Sequence, residues 1–514
     1  MPEANTQPAA SLPRPASSRA SVGSRASGLT LAELWTVLAI GLPVLGSMIA
    51  PMSTVDLAYQ VRAGQLMLES GSILTTDPFT FTVGGEPWLN QQWAAGVLFG
   101  LGYEAVGWAG LAVVRGLLIG LTFALAVVAC RASGASPRTS ALLAIAAFAV
   151  SVPSLGLRAQ LLGMVLMAAT LALLALRKRR PRLLWLLPIL FVAWANVHGS
   201  FIIGLLAIGA ALVADRVARR PGSRLLAVVL VLCTVATLLN PFGAGVWIYS
   251  VGLTTSSQIT RLISEWQPTS VRSYTGLAFA ASAIAMAALL VWRGRLVGWP
   301  VLAWLALLFV VGLYAERGVA WWALGAAPIA ALLLAGATER LGAGGTVPAA
   351  GGISSAPHDR RRLLNLAVAA GLAVAILATL PTWRGGEELY GPDGLLLDAP
   401  PGVTDSLREV ASSDDRLFAA QRWASWFEFA VPDVPVMVDS RIELFSDDVW
   451  TDYLAVTGGR EDWREILGRW GVTIIAITQD GEENLRAFIA DDPGWMLVHS
   501  DEGGAVYVRS DPGG

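Results

Sequence analysis

Charge is scarce in this chain. Of its 514 residues only 14% are Asp, Glu, Lys or Arg, where a soluble domain carries about a quarter. With 54% of residues apolar, the shortage excludes an ordinary soluble protein and points to a chain that crosses a membrane many times. Cysteine is nearly absent. Cys130 and Cys233 both lie in apolar segments and read as small buried hydrophobes, so no disulfide framework exists. The three histidines, at 198, 358 and 499, are too far apart for a zinc pattern. The net charge of −2 removes any global bias toward nucleic acid.

The order of the charges predicts a topology. Residues 1–28 are rich in Ser, Ala, Pro and Arg without an apolar run, which predicts a disordered tail rather than a signal peptide. The first span covers about 31–53. Arg14, Arg19 and Arg25 precede it and place the N-terminus in the cytoplasm. The loop over 54–107 is then external. Its segment 93–107 is apolar but short of the roughly 20 residues a crossing needs, so it reads as an interfacial helix. Further spans follow at 108–130, 140–153, 161–176, 183–197, 201–214 and 225–239, then up to WRGR, then 300–313, then up to Arg340, and last 363–380. Dense basic clusters such as RKRRPR and RVARRPGSR fall after every second crossing, which supports about eleven spans.

Beyond Trp383 the composition becomes that of a soluble domain. Strands are predicted at RLFAA, VPVMVDS, VTIIAIT, WMLVHS and AVYVRS, and helices at WASWFEFA, DDVWTDYLAV, EDWREILGRWG and EENLRAFIAD. The expected fold is an all-α polytopic membrane domain over 29–382 followed by a small α/β domain over 383–514 on the external side. That domain has no glycine-rich phosphate loop and no nucleophile elbow, and reads as a cover for the membrane site or a reader of acceptors. Asp439, Arg441 and Glu443 in DSRIE read first as a structural ion pair.

Polar groups beside lipid mark function by default, and here they gather at the outer ends of the spans. They are Asp56 and Arg62 after span one, Arg115 early in span two, Arg158 and Gln160, Asn196 and His198, Asn240, Glu265 and Trp266, and Glu316 with Arg317. Each has a plain alternative. Arg115, Arg158 and Arg317 could snorkel to headgroups. They also suit a phosphate, which guanidinium binds bidentately. His198 could be a turn histidine, Asn240 a helix cap, and Trp88, Trp93 and Trp266 interface aromatics rather than sugar-stacking faces. Asp77 in TTDPF reads as a turn residue or a second catalytic carboxylate. Asp56, a carboxylate directly beyond a span, suits a general base in a partly dry site.

The polar first loop with an acidic residue after span one, the interfacial helix and the early Arg of the next span resemble the GT-C class of membrane glycosyltransferases. The closer likeness is to a bacterial branch of that class. Its motifs are matched by Asp56, Gly64, Asp77-Pro78-Phe79-Thr80-Phe81-Thr82, Gly85-Glu86-Pro87-Trp88 and Gln92-Trp93. They continue in Arg158-Ala159-Gln160, Asn196-Val197-His198-Gly199, Asn240-Pro241-Phe242-Gly243, Glu265-Trp266 and Asp439-Ser440-Arg441. Two positions depart from the branch: Gln60 where a His is common and Gln92 where a Glu stands, and both changes remove a titratable group. The resemblance implies an inverting transfer of a sugar from a polyprenyl-phosphate donor to an envelope acceptor at the external face of the plasma membrane. Asp56, with Asp77, would be catalytic, and Arg115, Arg158 and Arg317 would hold the donor phosphate. Arg62, Trp88, Trp93, Gln160, Asn196, His198, Glu265 and Trp266 would line the substrate. No cofactor is expected. Carboxylates could hold a divalent metal, but the loop lacks a tight DxD. The other partners expected are membrane lipids, not nucleic acid. Two rival readings are a transporter or lipid-handling protein, disfavoured by a nearly bare midplane, and a non-catalytic scaffold presenting its outer domain.

Overall fold

The computed structural model describes residues 28–255, 257–335, 356–479 and 481–510. The tail expected over 1–28 lies outside the described residues except for Gly28, as does most of the linker after Arg340. Among the described residues fourteen α-helices come first: α1 (Leu31–Ile49), α2 (Leu57–Ser70), α3 (Trp93–Ala132), α4 (Pro137–Ser151), α5 (Ala159–Leu176), α6 (Leu187–Val197), α7 (Phe201–Val217), α8 (Ser223–Ala236), α9 (Gly245–Thr255), α10 (Ser257–Leu262), α11 (Tyr274–Arg293), α12 (Trp299–Tyr314), α13 (Val319–Leu334) and α14 (Ala356–Ala378). Six helical stretches among the described residues are long and apolar enough to cross a membrane, and shorter apolar helices accompany them. The chain is a multi-pass membrane protein, and each apolar segment singled out in the sequence carries a helix.

Local chemistry sets the helix ends. Thr30 accepts from the Glu33 amide while Glu33 reaches back to the Thr30 amide, a capping box that starts α1. Ser136 caps α4 with Pro137 in its first turn. Within α3 a single residue leaves the helical region: Gly107, at φ 59° and ψ −168°. The break falls where the expected interfacial segment gives way to the second span, and the left-handed conformation is open to glycine at little cost.

The two-residue strand β1 (Met52–Ser53) follows α1. Past α14 the chain forms β2 (Gly386–Glu387), β3 (Gly391–Pro392), β4 (Leu396–Leu397), α15 (Pro401–Val410), β5 (Leu417–Ala419), α16 (Gln421–Ala430), α17 (Asp447–Thr457), α18 (Trp463–Trp470), β6 (Ile474–Thr478), α19 (Glu483–Ala490), β7 (Trp495–Ser500) and β8 (Gly504–Arg509). The main sheet has the order β5-β6-β8-β7, with β5 parallel to β6 and the other pairs antiparallel. The small α/β domain is therefore present, with one local difference. VPVMVDS does not form a strand. Pro435 has no amide to donate. Only Val436 bridges, to Leu417 on one side and to Thr80 on the other. Through that residue the first loop joins the sheet: Val436 donates to the Phe79 carbonyl and Phe81 donates to the Val436 carbonyl, both at 3.1 Å. A second junction pairs β1 with β4, Met52 opposite Leu396. The sheet domain is thus hydrogen-bonded directly onto the chain that flanks Asp56.

Candidate functional site

Helix ends at one end of the bundle converge on Asp56. It occupies the N-cap position of α2, where an Asp normally accepts from an amide of the first turn. Here the side chain makes no capping bond. Its Oδ2 instead accepts from Nη1 of Arg158 at 3.2 Å. Arg158, at the N-cap position of α5, also grips Glu265 bidentately, at 2.7 and 3.1 Å. Glu265 sits on a tight turn, Ser264–Trp266, between α10 and α11. The three side chains are each about one-quarter to one-third exposed. They line a cleft of about 400 Å³, walled by the end of α1, α3, and the α4–α5 turn, that Arg115 also borders.

Electrostatics separate the cations. Burial alone would lower the Arg158 pKa, but Glu265 and Asp56 raise it above the usual arginine range, so it is a fixed charge balanced twice. Burial would raise Glu265, yet Arg158 holds it below the ordinary carboxylate range. Arg317 follows α12 and differs. Its guanidinium stacks on Trp266, 4.8 Å from the ring centre, and donates to Gln160 Oε1 at 3.3 Å. Among the described residues no carboxylate pairs with it. Burial lowers its pKa, with Glu265 pulling the other way. Burial, Arg317 and Arg158 together depress His198 to about 3, so it is a neutral imidazole at ordinary pH. Its Nδ1 accepts from the Ser200 amide at 3.1 Å, which places the ring proton on Nε2.

Several predicted site residues join this cluster or brace it. Asp56, Arg158, Glu265, Arg317, Trp266, Gln160 and His198 meet. Trp93 donates to Asn196 Oδ1 at 2.8 Å, and Asn196 donates onward to the Val192 and Leu239 carbonyls, which ties the start of α3 to α6 and the end of α8. Asn240 folds back on its own turn, donating to the Thr237 and Gly243 carbonyls. Gln60 and Gln92, the two departures from the branch motifs, bond each other at 2.6 Å.

Others are placed elsewhere. Asp77 does not reach Asp56. Its oxygens accept from the Phe79 and Thr80 amides, from the Thr80 hydroxyl at 2.6 Å and from Arg441 at 2.6 Å, and its side chain is 1% exposed. It is the turn residue of its loop and an anchor for the sheet domain. Trp88 is buried under that same Arg441, whose guanidinium lies 4.5 Å from its ring, 5.0 Å from Phe79 and 5.5 Å from Tyr59. Its face is occupied by a protein cation rather than open to a sugar. Arg62 pairs with Glu69 along the surface of α2, not with Asp56. Arg115 borders the cleft, but its terminal nitrogens donate to the carbonyls of Ser47, Ala50 and Pro51, closing the C-terminal end of α1.

Two residues join that sequence reading did not place in the site. Glu443 accepts from the Tyr249 hydroxyl at 2.5 Å, and its carboxyl is raised by burial. Tyr249 stands on α9, so this bond brings a sheet-domain acid against the bundle, where it acts electrostatically on Arg317. The only signal for it was the DSRIE run. Among the described residues no group of His, Cys, Asp or Glu is arranged to hold a metal ion.

No family model matches the chain, and no curated protein matches it in sequence. Its structure is similar to the arabinofuranosyltransferase AftD from Mycobacteria, at 18% identity and a TM-score of 0.55 over 94% of this chain; the chain spans 40% of the length of AftD. It is also similar to ArnT from Cupriavidus metallidurans, solved with undecaprenyl phosphate bound, at 17% identity and a TM-score of 0.51 over 94% of this chain and 99% of ArnT. The chain has the GT-C fold of membrane glycosyltransferases.

Proposed function

We propose that the protein is an inverting membrane glycosyltransferase that moves a sugar from a polyprenyl-phosphate donor to an acceptor at the external membrane face. The observation that carries this is the Asp56–Arg158–Glu265 cluster in a cleft at the ends of the helices, with Arg317 half-buried beside it and free of a carboxylate partner among the described residues. In this reading Asp56 takes the proton of an acceptor hydroxyl. The acceptor oxygen bonds to the anomeric carbon, the bond from that carbon to the donor phosphate oxygen breaks, and polyprenyl phosphate leaves with the electron pair. Arg317 meets the developing anion, because its charge is not spent on a carboxylate, while Arg158 orients Asp56 and Glu265. His198 Nε2–H adds a neutral donor. The fold neighbour solved with undecaprenyl phosphate supports a polyprenyl carrier. In this reading the N-terminus is cytoplasmic and the sheet domain external, which the placement of the basic clusters supports.

The test is turnover in membranes supplied with a radiolabelled polyprenyl-phosphate sugar. Membranes carrying the protein should release free polyprenyl phosphate, and Asp56→Asn should reduce this by about 10²–10⁴-fold, the usual contribution of a general base. Folding should persist in that variant because Arg158 keeps its two bonds to Glu265. Undiminished turnover in Asp56→Asn would remove Asp56 from the chemistry. A second reading, a lipid-binding scaffold, draws on the double neutralisation of Arg158; it predicts donor binding without turnover.

A further inference from the structure

A second cavity lies at the opposite end of the bundle from Asp56, among the last turns of α3, α5, α7 and α13 and the start of α12. Its volume is about 500 Å³, within the roughly 300–1,000 Å³ of ligand sites. Its walls are apolar, with Leu174, Trp304, Ile329 and Leu332 on different helices. Small residues of α7, among them Ala211 and Ala214, line it and leave the space between the helices unfilled. A half-open apolar cavity of this kind leaves its walls short of dispersion contacts unless something occupies it.

Its rim has the opposite character. Arg177, Lys178, Arg179 and Arg220 all border it. One carboxylate serves this group: Asp215, buried, which takes Arg177 in two bonds of 2.8 Å and Arg220 in one of 3.2 Å. Lys178 and Arg179 are exposed and have no carboxylate partner among the described residues. Burial, then Arg220 and Arg177, draw the Lys178 pKa down against the pull of Asp215, as expected where like charges outnumber the anion among them. Asp215 fixes two of the cations in place, and the unpaired remainder faces the cavity mouth.

We infer that this cavity binds an anionic phospholipid of the bilayer, its phosphate held by Lys178 and Arg179 beside the Asp215-fixed arginines and an acyl chain seated between α5, α7 and α13. Basic pockets between membrane helices recognise such headgroups. The apolar chamber explains why a lipid is preferred to a free phosphate. The excess positive charge explains why an anionic lipid is preferred to a zwitterionic one. The site shares no residue with the Asp56 cleft, so it stands whether or not the glycosyltransferase reading does.

The experiment is native mass spectrometry of the full chain released from detergent, with phosphatidylglycerol and phosphatidylcholine of identical acyl chains as the probes. Wild type should retain phosphatidylglycerol at least about tenfold better, the factor that corresponds to one good charge-assisted contact. Lys178→Glu with Arg179→Glu should abolish the preference. Ala211→Phe, which fills the chamber, should lower retention of both lipids. Equal retention of the two lipids by wild type, or an unchanged preference in the double variant, overturns the proposal. Full retention in a monodisperse Ala211→Phe protein also overturns it, because the chain would then lie outside the cavity. If Ala211→Phe fails to fold, the charge variants decide alone, since both positions are exposed.

Discussion

At the scale of single residues the site rests on uneven pairing of charge. Arg158 answers two acids, while Arg317 answers none among the described residues and stacks on Trp266. The positions of Asp56, Arg158 and Glu265 were legible in the sequence because each stands where an apolar run gives out. Their pairing was not, because 102 and 107 residues separate the partners. The employment of Arg115 by backbone carbonyls was also hidden, since any residue supplies a carbonyl. His198 gives a prediction with a definite sign. Its folded pKa of about 3 lies below the ordinary value of 6.5. As pH falls, the unfolded chain therefore takes up the proton first. The stability this group contributes is complete above pH 6.5 and is lost as pH falls toward 3. Thermal melts at pH 7.5 and pH 5 should show a larger drop in Tm for wild type than for His198→Gln. Equal drops would mean that the imidazole is not held neutral.

At the scale of elements, the placement of Asp56 depends on how closely α2 approaches α3. A Cβ at Gly64 would come within 2.1 Å of the Gly96 carbonyl oxygen and 2.7 Å of its carbon, so the two backbones touch through glycine. This gives a physical reason for Gly64, which in the sequence was only a motif letter. Gly64→Ala must push the helices apart, at a cost of about 1–3 kcal/mol, and should carry Asp56 away from Arg158. The expected result is a lowered Tm together with lost turnover. Gly209→Ala on α7, where a Cβ meets nothing within 4 Å, should leave both unchanged. Similar behaviour of the two variants would contradict the close-packing account. Helix positions themselves were readable from hydropathy and caps. The strand expected at VPVMVDS was not formed because its β-branched run contains Pro435 and its only bridging residue, Val436, is shared by β5 and the first loop.

At the scale of the whole molecule, the sheet domain is locked to the bundle. Arg441 bonds Asp439 and Asp77 and is surrounded by Trp88, Phe79 and Tyr59, all from the first loop and α2 except Asp439. Burial and the neighbouring Asp439 push the carboxyl of Glu428, a third acid beside Arg441, well up. The sequence offered both halves of the lock, TTDPF and DSRIE, but nothing that joined them across 364 positions. Removing one partner of a buried pair costs about 3–5 kcal/mol. Asp77→Ala and Arg441→Ala should each lower Tm and raise amide hydrogen exchange over 75–88 and 436–445 together. Faster exchange confined to one of the two segments would mean that they are not held by this contact. If the lock also sets the ceiling of the cleft through Glu443 and Tyr249, these variants should lose turnover while Asp56 is intact.

The most direct measurement of the central claim is retention of polyprenyl phosphate by the purified full chain in native mass spectrometry, against phosphatidylcholine as competitor. Wild type should keep the polyprenyl phosphate, Arg317→Ala should lose most of it, and Arg158→Ala should lose it as Asp56 and Glu265 are left as unbalanced acids beside the phosphate. Retention no better than that of the competitor, or equal retention in all three proteins, would contradict the assignment of this cleft to a polyprenyl-phosphate donor.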